Sequence, residues 1–175
     1  MKRFIILIGL ITIINGETMK ERATFGGGCF WGVEESFRTI RGVLETQVGF
    51  MGGKTADPSY KEVCTDKTGH AEVIHLIFDP ERISYQELLK TFFNIHNPTQ
   101  LNRQGPDVGT QYRSVIFYHS EDQKFLAEST IKALEKEGKY SRKIVTTVEP
   151  ASTFYPAEAY HQKYLFKRGL GSCGI

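Results

Sequence analysis

The chain has 175 residues, a formal net charge of +2 and hydrophobic, aromatic and charged fractions of 40%, 12% and 24%. This length and composition predict one soluble globular domain with a core of ordinary size, and the small net charge argues against a nucleic-acid-binding protein. The three cysteines, Cys29, Cys64 and Cys173, are too few for a disulfide scaffold. Their odd number is more typical of a catalytic or redox thiol.

Residues 1–16 have the layout of a secretory signal peptide. Two basic residues precede an apolar run from Phe4 to Ile14, which is too short to span a bilayer. We therefore predict a periplasmic or secreted protein without a stable membrane anchor. Met19 offers an alternative start, which would leave the preceding residues untranslated and the protein in the cytoplasm. In either case residues 20–175 are predicted to form a single domain.

Helical spacing and alternation predict the elements of the first half of this domain. A short strand from Ala23 to Phe25 runs into three glycines and a helix, which ends at Gly42. Residues 43–50 alternate and predict a second strand, and residues 71–78 predict a third, with a loop between them from Gly52 to Gly69. The predicted buried face of the helix consists of Phe30, Val33, Phe37 and Ile40, and that of the second strand of Leu44, Thr46, Val48 and Phe50.

Two capping boxes open the helices of the second half. Ser84 with Glu87 begins a helix that stops at a His-Asn-Pro sequence. Ser120 with Gln123 begins another, which ends at Gly138. The predicted buried faces consist of Leu88, Leu89, Phe92 and Phe93 in the first helix, and of Phe125, Leu126, Ala133 and Leu134 in the second.

Strands are predicted from Tyr112 to Tyr118 and from Ile144 to Val148 in the same half. Residues 154–166 are predicted to be helical for part of their length, and residues 169–175 to form a coil tail. Because the connections between strands are unequal, we predict an α+β fold with a mixed or antiparallel sheet and packed helices, not a parallel doubly wound sheet.

Cys29 follows three glycines at the predicted start of a helix. Free N–H groups and partial positive charge at a helix start stabilise a thiolate, so we expect the pKa of Cys29 to lie below its free value of about 8.5. The position predicts a nucleophile, with a small residue buried beside a turn as the alternative. Phe30 shares the core face of the helix, whereas Trp31 does not. Trp31 is therefore either a wall for an apolar substrate group or a side chain packed under a loop.

Other polar residues invite a chemical role. Glu72 shares a strand face with three apolar side chains, where a carboxyl group stays protonated and can donate a proton at neutral pH. Alternatively, it lies at a frayed strand end and pairs with Lys67. Cys173, in a Gly-rich tail, either forms a disulfide with an oxidised thiol or stays unpaired. His70 and His75 fall on opposite faces of a strand, which argues against a metal site.

The sequence from Gly28 to Gly32, Gly-Cys-Phe-Trp-Gly, resembles the active-site signature of the A-type peptide methionine sulfoxide reductases. The resemblance continues in order through residues 58–80, 97–117, 154–165 and 172–174. It implies a ferredoxin-like α+β core. The implied activity is reduction of the S epimer of methionine sulfoxide, in oxidised proteins and as the free amino acid, which is a protein-repair reaction.

The resemblance also implies a role for each matching residue. Cys29 would attack the sulfoxide sulfur and become a sulfenic acid, which Cys173 would resolve as a disulfide. Glu72 would protonate the sulfoxide oxygen. The reductant would be thioredoxin or an added thiol such as dithiothreitol, with no bound cofactor or metal. Since nothing in the sequence suggests an obligate partner, we expect a monomer. The remaining site residues implied are Tyr60 and Tyr112, which hydrogen-bond the oxygen, Asp107, which organises the site, and Phe30 and Trp31, which line the S-methyl pocket.

The sequence departs from the pattern in two places. Phe50 and Met51 stand where relatives commonly carry Tyr and Ala or Thr, and only two residues follow Cys173, so a second tail cysteine is absent. Recycling is then expected to depend on Cys173 or on external thiols, and Cys64 is expected to be structural. The rival functions are another thiol enzyme, such as a peroxidase or disulfide oxidoreductase, and a non-catalytic secreted binding module.

Overall fold

A computed structural model describes residues 19–171, and the predicted signal peptide and Cys173 lie outside this range. The described chain forms a six-stranded sheet, a two-stranded hairpin and five helices. No helix between Met19 and Gly171 is long and apolar enough to cross a membrane. The sheet contains β1 (Glu21–Gly26), β2 (Val43–Met51), β3 (Ala71–Phe78), β6 (Val115–Tyr118), β7 (Thr147–Pro150) and β8 (Tyr155–Pro156), and the hairpin contains β4 (Arg103–Gln104) and β5 (Asp107–Val108). The helices are α1 (Phe30–Arg38), α2 (Tyr60–Val63), α3 (Tyr85–Ile95), α4 (Glu121–Lys136) and α5 (Tyr164–Lys167).

The strands of the large sheet lie in the order β7-β6-β1-β3-β2-β8. All neighbours are antiparallel except β6 and β7, which are parallel, so the sheet is mixed. The four central strands and the helices α1 and α3 follow the β-α-β-β-α-β sequence of a ferredoxin-like unit. This confirms the predicted α+β fold and its ferredoxin-like core.

The main core lies between the sheet and the helices α1, α3 and α4. Phe25 of β1 stacks on Phe37 of α1 and on Phe92 of α3, with ring centroids 5.4 and 5.1 Å apart. Each of these fully buried rings contributes about 1.5–3 kcal/mol of transfer free energy, so β1 is held firmly between the two helices. Because β1 leads directly into α1, this packing fixes the turn between them.

Several predicted elements are confirmed at their boundaries. β3 spans residues 71–78, and α3 starts after Ser84, whose capping box with Glu87 is complete. The predicted loop between β2 and β3, however, contains α2. Its capping box, Ser59 with Glu62, is the signal in the sequence that could have revealed this short helix.

Two predicted strands begin later than expected. Tyr112 lies in a 3-10 turn, because the carboxylate of Asp66 accepts hydrogen bonds from the backbone and hydroxyl of Thr110 and so fixes that turn before β6. β7 begins at Thr147, because the N–H of Val145 donates to the carbonyl of Pro98 at 2.8 Å instead of joining the sheet. Residues 154–166 contain β8, and α5 begins only at Tyr164.

The predicted buried faces are wrong at three positions. Leu44 is 42% exposed, because the pairing of β2 with β3 shifts register between Val43 and Glu45. Phe125 is 68% exposed and Ala133 is also exposed, whereas Ala127 faces the core. Two positions correspond to about 200° of helix rotation, so Phe125 and Ala127 lie on opposite sides of α4.

Candidate active site

Cys29 is the residue that immediately precedes α1, and its thiol is half-buried. The glycines before it allow the chain to approach its neighbours closely. A Cβ atom on Gly28, whose φ is +97°, would lie 2.7 Å from Cγ of Gln104, and one on Gly27 would lie 3.0 Å from the ring of Phe92. The turn therefore requires glycine both for its backbone conformation and for its packing. This agrees with the predicted arrangement of strand, turn and cysteine.

Glu72 reaches the start of α1 from β3. The residue is only 1% exposed, and its Oε2 accepts a hydrogen bond from the N–H of Phe30 at 3.1 Å. Its Oε1 is enclosed and has no hydrogen-bond partner among the described residues. The carboxyl group thus caps α1 with one oxygen and leaves the other free beside Cys29. The alternative of a frayed strand end that pairs with Lys67 is wrong.

Burial dominates the protonation of Glu72. Desolvation raises its pKa to about 8, the N–H of Phe30 opposes this rise, and the negative charge of Asp107 adds to it. The carboxyl group is therefore mostly protonated at neutral pH. Since Oε2 accepts from Phe30, Oε1 is the oxygen available to carry the proton.

The thiol of Cys29 does not show the lowered pKa expected at a helix start. Burial and the charge of Glu72 raise its pKa to about 12, although the N–H groups of Trp31 and Gly32 act in the opposite direction. The helix-start effect is present but smaller than desolvation, so the resting thiol is protonated. A protonated Glu72 removes one of the causes of this high pKa, so the acid form of Glu72 also favours formation of the thiolate.

An aromatic wall lines the site next to Cys29. The ring of Phe30 lies 6.1 Å from that of Tyr60 and 6.4 Å from that of Trp31, measured between centroids. Trp31 stacks in parallel on Tyr164 at 3.7 Å, which covers one of its faces. Phe30 belongs to a small cluster with Val48, not to the main core, although the predicted helix face suggested the latter. The wall is apolar and suits a small apolar group.

Tyr60, Tyr112 and Asp107 come to the same site from three different elements. Burial and the charge of Glu72 raise the pKa of both tyrosines, that of Tyr112 to about 12. Both hydroxyl groups therefore remain donors at neutral pH. The charge of Asp107 raises the pKa of Cys29, Glu72 and Tyr112, which places this carboxylate close to all three.

Two residues that sequence reasoning missed border the aromatic wall. His161 is 1% exposed, and its Nδ1 accepts a hydrogen bond from Nε1 of Trp31 at 3.0 Å. Glu158 accepts from the N–H of Tyr60 at 3.1 Å. Both lie in residues 154–165, where the only available signal was the match of that segment to the family pattern.

A third missed residue, Glu34, ties the same segment to α1. It is buried, and it accepts from the hydroxyl of Thr46 at 3.0 Å and from the N–H of Lys163 at 2.7 Å.

Residues 19–171 contain no group of three His, Cys, Asp or Glu side chains that could hold a metal ion.

Cys64, the other cysteine near the site, lies beside the hydroxyl of Tyr60 and contributes to the raised pKa of that tyrosine. Cys64 follows α2 and its residue is exposed. The site therefore contains one half-buried thiol beside an enclosed acid, two tyrosine hydroxyl groups and an aromatic wall. This arrangement can hold a small polar group that has an apolar substituent and can donate a proton to it.

Comparisons with known proteins agree with this geometry. The family described as peptide methionine sulfoxide reductase matches residues 21–175. The peptide methionine sulfoxide reductase MsrA of Methanoculleus marisnigri is 57% identical over 90% of this chain and 96% of its own length. The structure of reduced Mxr1 from Saccharomyces cerevisiae superposes with a TM-score of 0.80, at 40% identity, over 89% of each chain. A structure of Mxr1 in complex with Trx2 gives a TM-score of 0.58 at 29% identity, over 88% of this chain and 91% of the other.

Proposed function

The chain belongs to the peptide methionine sulfoxide reductase family, and on that basis we propose that it reduces methionine sulfoxide in oxidised proteins, with Cys29 as nucleophile and Glu72 as acid. The observation that carries the residue assignment is the free Oε1 of Glu72, enclosed beside Cys29 while Oε2 caps α1. A peroxidase, a disulfide oxidoreductase or a binding module would not require such an acid.

Substrate binding uses the two halves of the site separately. The methyl group on the sulfoxide sulfur packs against the aromatic rings of Phe30, which is buried, and Trp31, which is partly buried. The sulfoxide oxygen accepts hydrogen bonds from the hydroxyl groups of Tyr60 and Tyr112, which remain protonated because their pKa values are raised. Asp107 acts indirectly, since its charge helps to keep Glu72 protonated.

The reductive step transfers an oxygen atom from the sulfoxide sulfur to Sγ of Cys29. Sγ of Cys29 attacks the sulfoxide sulfur, Glu72 donates its proton to the sulfoxide oxygen, and the carboxylate regains a proton from the thiol. The attack forms an S–S bond between Cys29 and the substrate. The hydroxyl group then moves to Cys29, so that this S–S bond and the S–O bond of the substrate break while a new S–O bond forms on Cys29. Methionine leaves, reduced by two electrons, and Cys29 becomes a sulfenic acid.

Cys173 resolves the sulfenic acid in this proposal. Its thiol gives its proton to the departing hydroxyl group as Sγ attacks Sγ of Cys29, so that the S–O bond breaks, a disulfide forms and water leaves. Two thiols of a thioredoxin-type reductant then return both cysteines to the reduced state. The solved complex of the relative Mxr1 with Trx2 supports a thioredoxin-type partner.

A peptide containing methionine sulfoxide, with its epimers separated, tests the function. With dithiothreitol as reductant, the wild type should reduce the S epimer and leave the R epimer unchanged. Cys29→Ser should abolish turnover, whereas Cys64→Ser should retain it, because Cys64 is exposed and not assigned to the reaction. Equal turnover by wild type and Cys29→Ser would overturn the assignment of the nucleophile.

A further inference from the structure

The hydrogen bond between Trp31 and His161 fixes the position of the proton on the histidine. The indole Nε1–H can only donate, and it lies 3.0 Å from Nδ1 of His161. Nδ1 must therefore accept, and a neutral imidazole then carries its proton on Nε2. His161 is enclosed, and its desolvation favours this neutral form.

The protonated Nε2 faces a carboxylate. It lies 3.9 Å from Oε2 of Glu158, and neither atom has another hydrogen-bond partner among the described residues. The other oxygen of Glu158 accepts from the N–H of Tyr60 at the start of α2. Two unpartnered enclosed atoms of opposite polarity at this distance form a pair after a small side-chain rotation. Glu158 thus connects His161 with Tyr60.

The ring of His161 also touches the whole aromatic wall. Its centroid lies 5.3 Å from that of Phe30, 5.6 Å from that of Trp31 and 4.3 Å from that of Tyr60. The titratable groups that face it are the carboxylate of Glu158 and the hydroxyl-bearing rings of Tyr60 and Tyr160. One imidazole therefore contacts three of the four residues assigned to hold the substrate, all except Tyr112.

We propose that Glu158 and His161 are positioning residues, which together hold the Trp31 indole and the Tyr60 end of α2 in the geometry that binds the sulfoxide. This inference rests on the proposed function. Neither residue is assigned a contact with the substrate. Glu158 orients the imidazole through Nε2–H, and the imidazole orients the indole through Nδ1.

The proposal predicts an effect on binding more than on chemistry. The wall contacts the methyl group in the ground state and in the transition state alike, so its loosening should raise KM and leave kcat nearly unchanged. A variant that merely unfolds part of the chain would lower the active fraction and reduce kcat instead.

Trp31 is the only tryptophan in the chain, so its fluorescence reports directly on this contact. We would compare emission spectra, KM and kcat for wild type, His161→Phe, His161→Asn and Glu158→Gln. His161→Phe should shift the emission maximum and raise KM about fivefold, the effect of losing one hydrogen bond. His161→Asn should have an emission maximum and a KM closer to those of wild type than His161→Phe, because the asparagine side-chain oxygen would lie near the position of Nδ1. Glu158→Gln should change both in the direction of His161→Phe, because an amide N–H would then face Nε2–H.

Gln162→Ala is the matched control. Gln162 is the next residue and holds the same segment to β2 through the backbone of Val48, but it has no hydrogen bond to Trp31 or Tyr60. It should leave emission and KM close to wild type. Equal changes in Gln162→Ala, or unchanged emission and KM in His161→Phe and Glu158→Gln, would overturn the proposal. Emission is recorded without substrate. A wild type that reduces no sulfoxide would therefore overturn the proposed function, while the emission spectra would still show whether His161 holds Trp31.

Discussion

The two oxygens of Glu72 have different surroundings, and this difference assigns their roles. Oε2 accepts from the N–H of Phe30 and so caps α1, although Glu72 is distant in sequence from the start of that helix. Oε1 is enclosed without a partner and is therefore the oxygen available to carry the proton. The residue that fixes the start of α1 is thus also the residue that supplies the acid, which ties the position of Cys29 to that of its proton donor.

The pH dependence of the single-turnover rate should follow the protonated form of Glu72. Because burial raises the pKa of Glu72 to about 8, the active form is present below this pH and is lost as the pH rises through it. Glu72→Gln should slow the reaction by about 10²–10³-fold. The substitution should also remove the decrease of the single-turnover rate near pH 8, since glutamine does not titrate.

Rates for this comparison are measured by rapid quench with reduced enzyme and no added reductant, so that titration of the reductant does not enter. A circular dichroism spectrum of Glu72→Gln that matches wild type controls for folding. A variant as fast as wild type, or one that keeps the same decrease near pH 8, would contradict the role of Glu72.

At the scale of elements, the turn between β1 and α1 is the most constrained part of the site. Gly28→Ala should abolish most activity and cost about 1–3 kcal/mol in the free energy of unfolding, because alanine is strained at φ +97° and would overlap Gln104. Gly138→Ala is the matched control, since its φ is +66° but nothing lies within 4 Å of the added Cβ. It should lose some stability and keep its activity. Urea denaturation and initial rates measure both, and an active Gly28→Ala would show that the turn tolerates a side chain.

Elements with strong local signals could be predicted from the sequence. The capping box of Ser84 gave the start of α3, and the apolar period gave β3 and the buried position of Glu72. Residues fixed by distant partners could not be predicted this way. Tyr112 lies in a turn held by Asp66, 46 positions earlier, and Trp31 is bonded to His161, 130 positions later. The low pKa expected for Cys29 is wrong, because desolvation depends on packing, which residue spacing does not report.

At the scale of the whole molecule, the segment after β8 joins the site to the tail. Glu34 accepts a hydrogen bond from the N–H of Lys163. The side chain of Gln162 accepts from the N–H of Val48 and donates to the carbonyl of the same residue. From Lys163 to Cys173 the chain can extend at most about 35 Å. The segment that brings His161 to the aromatic wall therefore also limits how far the proposed resolving cysteine can lie from Cys29.

A single turnover without reductant shows whether Cys29 takes the oxygen and Cys173 resolves it. Fully reduced enzyme is mixed with excess S-sulfoxide peptide, and methionine formed and thiols lost are counted per chain. We expect one methionine per chain, loss of two of the three thiols, and a Cys29–Cys173 disulfide on peptide mapping. Cys173→Ser should still form one methionine and leave a sulfenic acid on Cys29 that a dimedone probe traps. Methionine formation by Cys29→Ser, or oxidation confined to Cys64, would contradict these roles of Cys29 and Cys173.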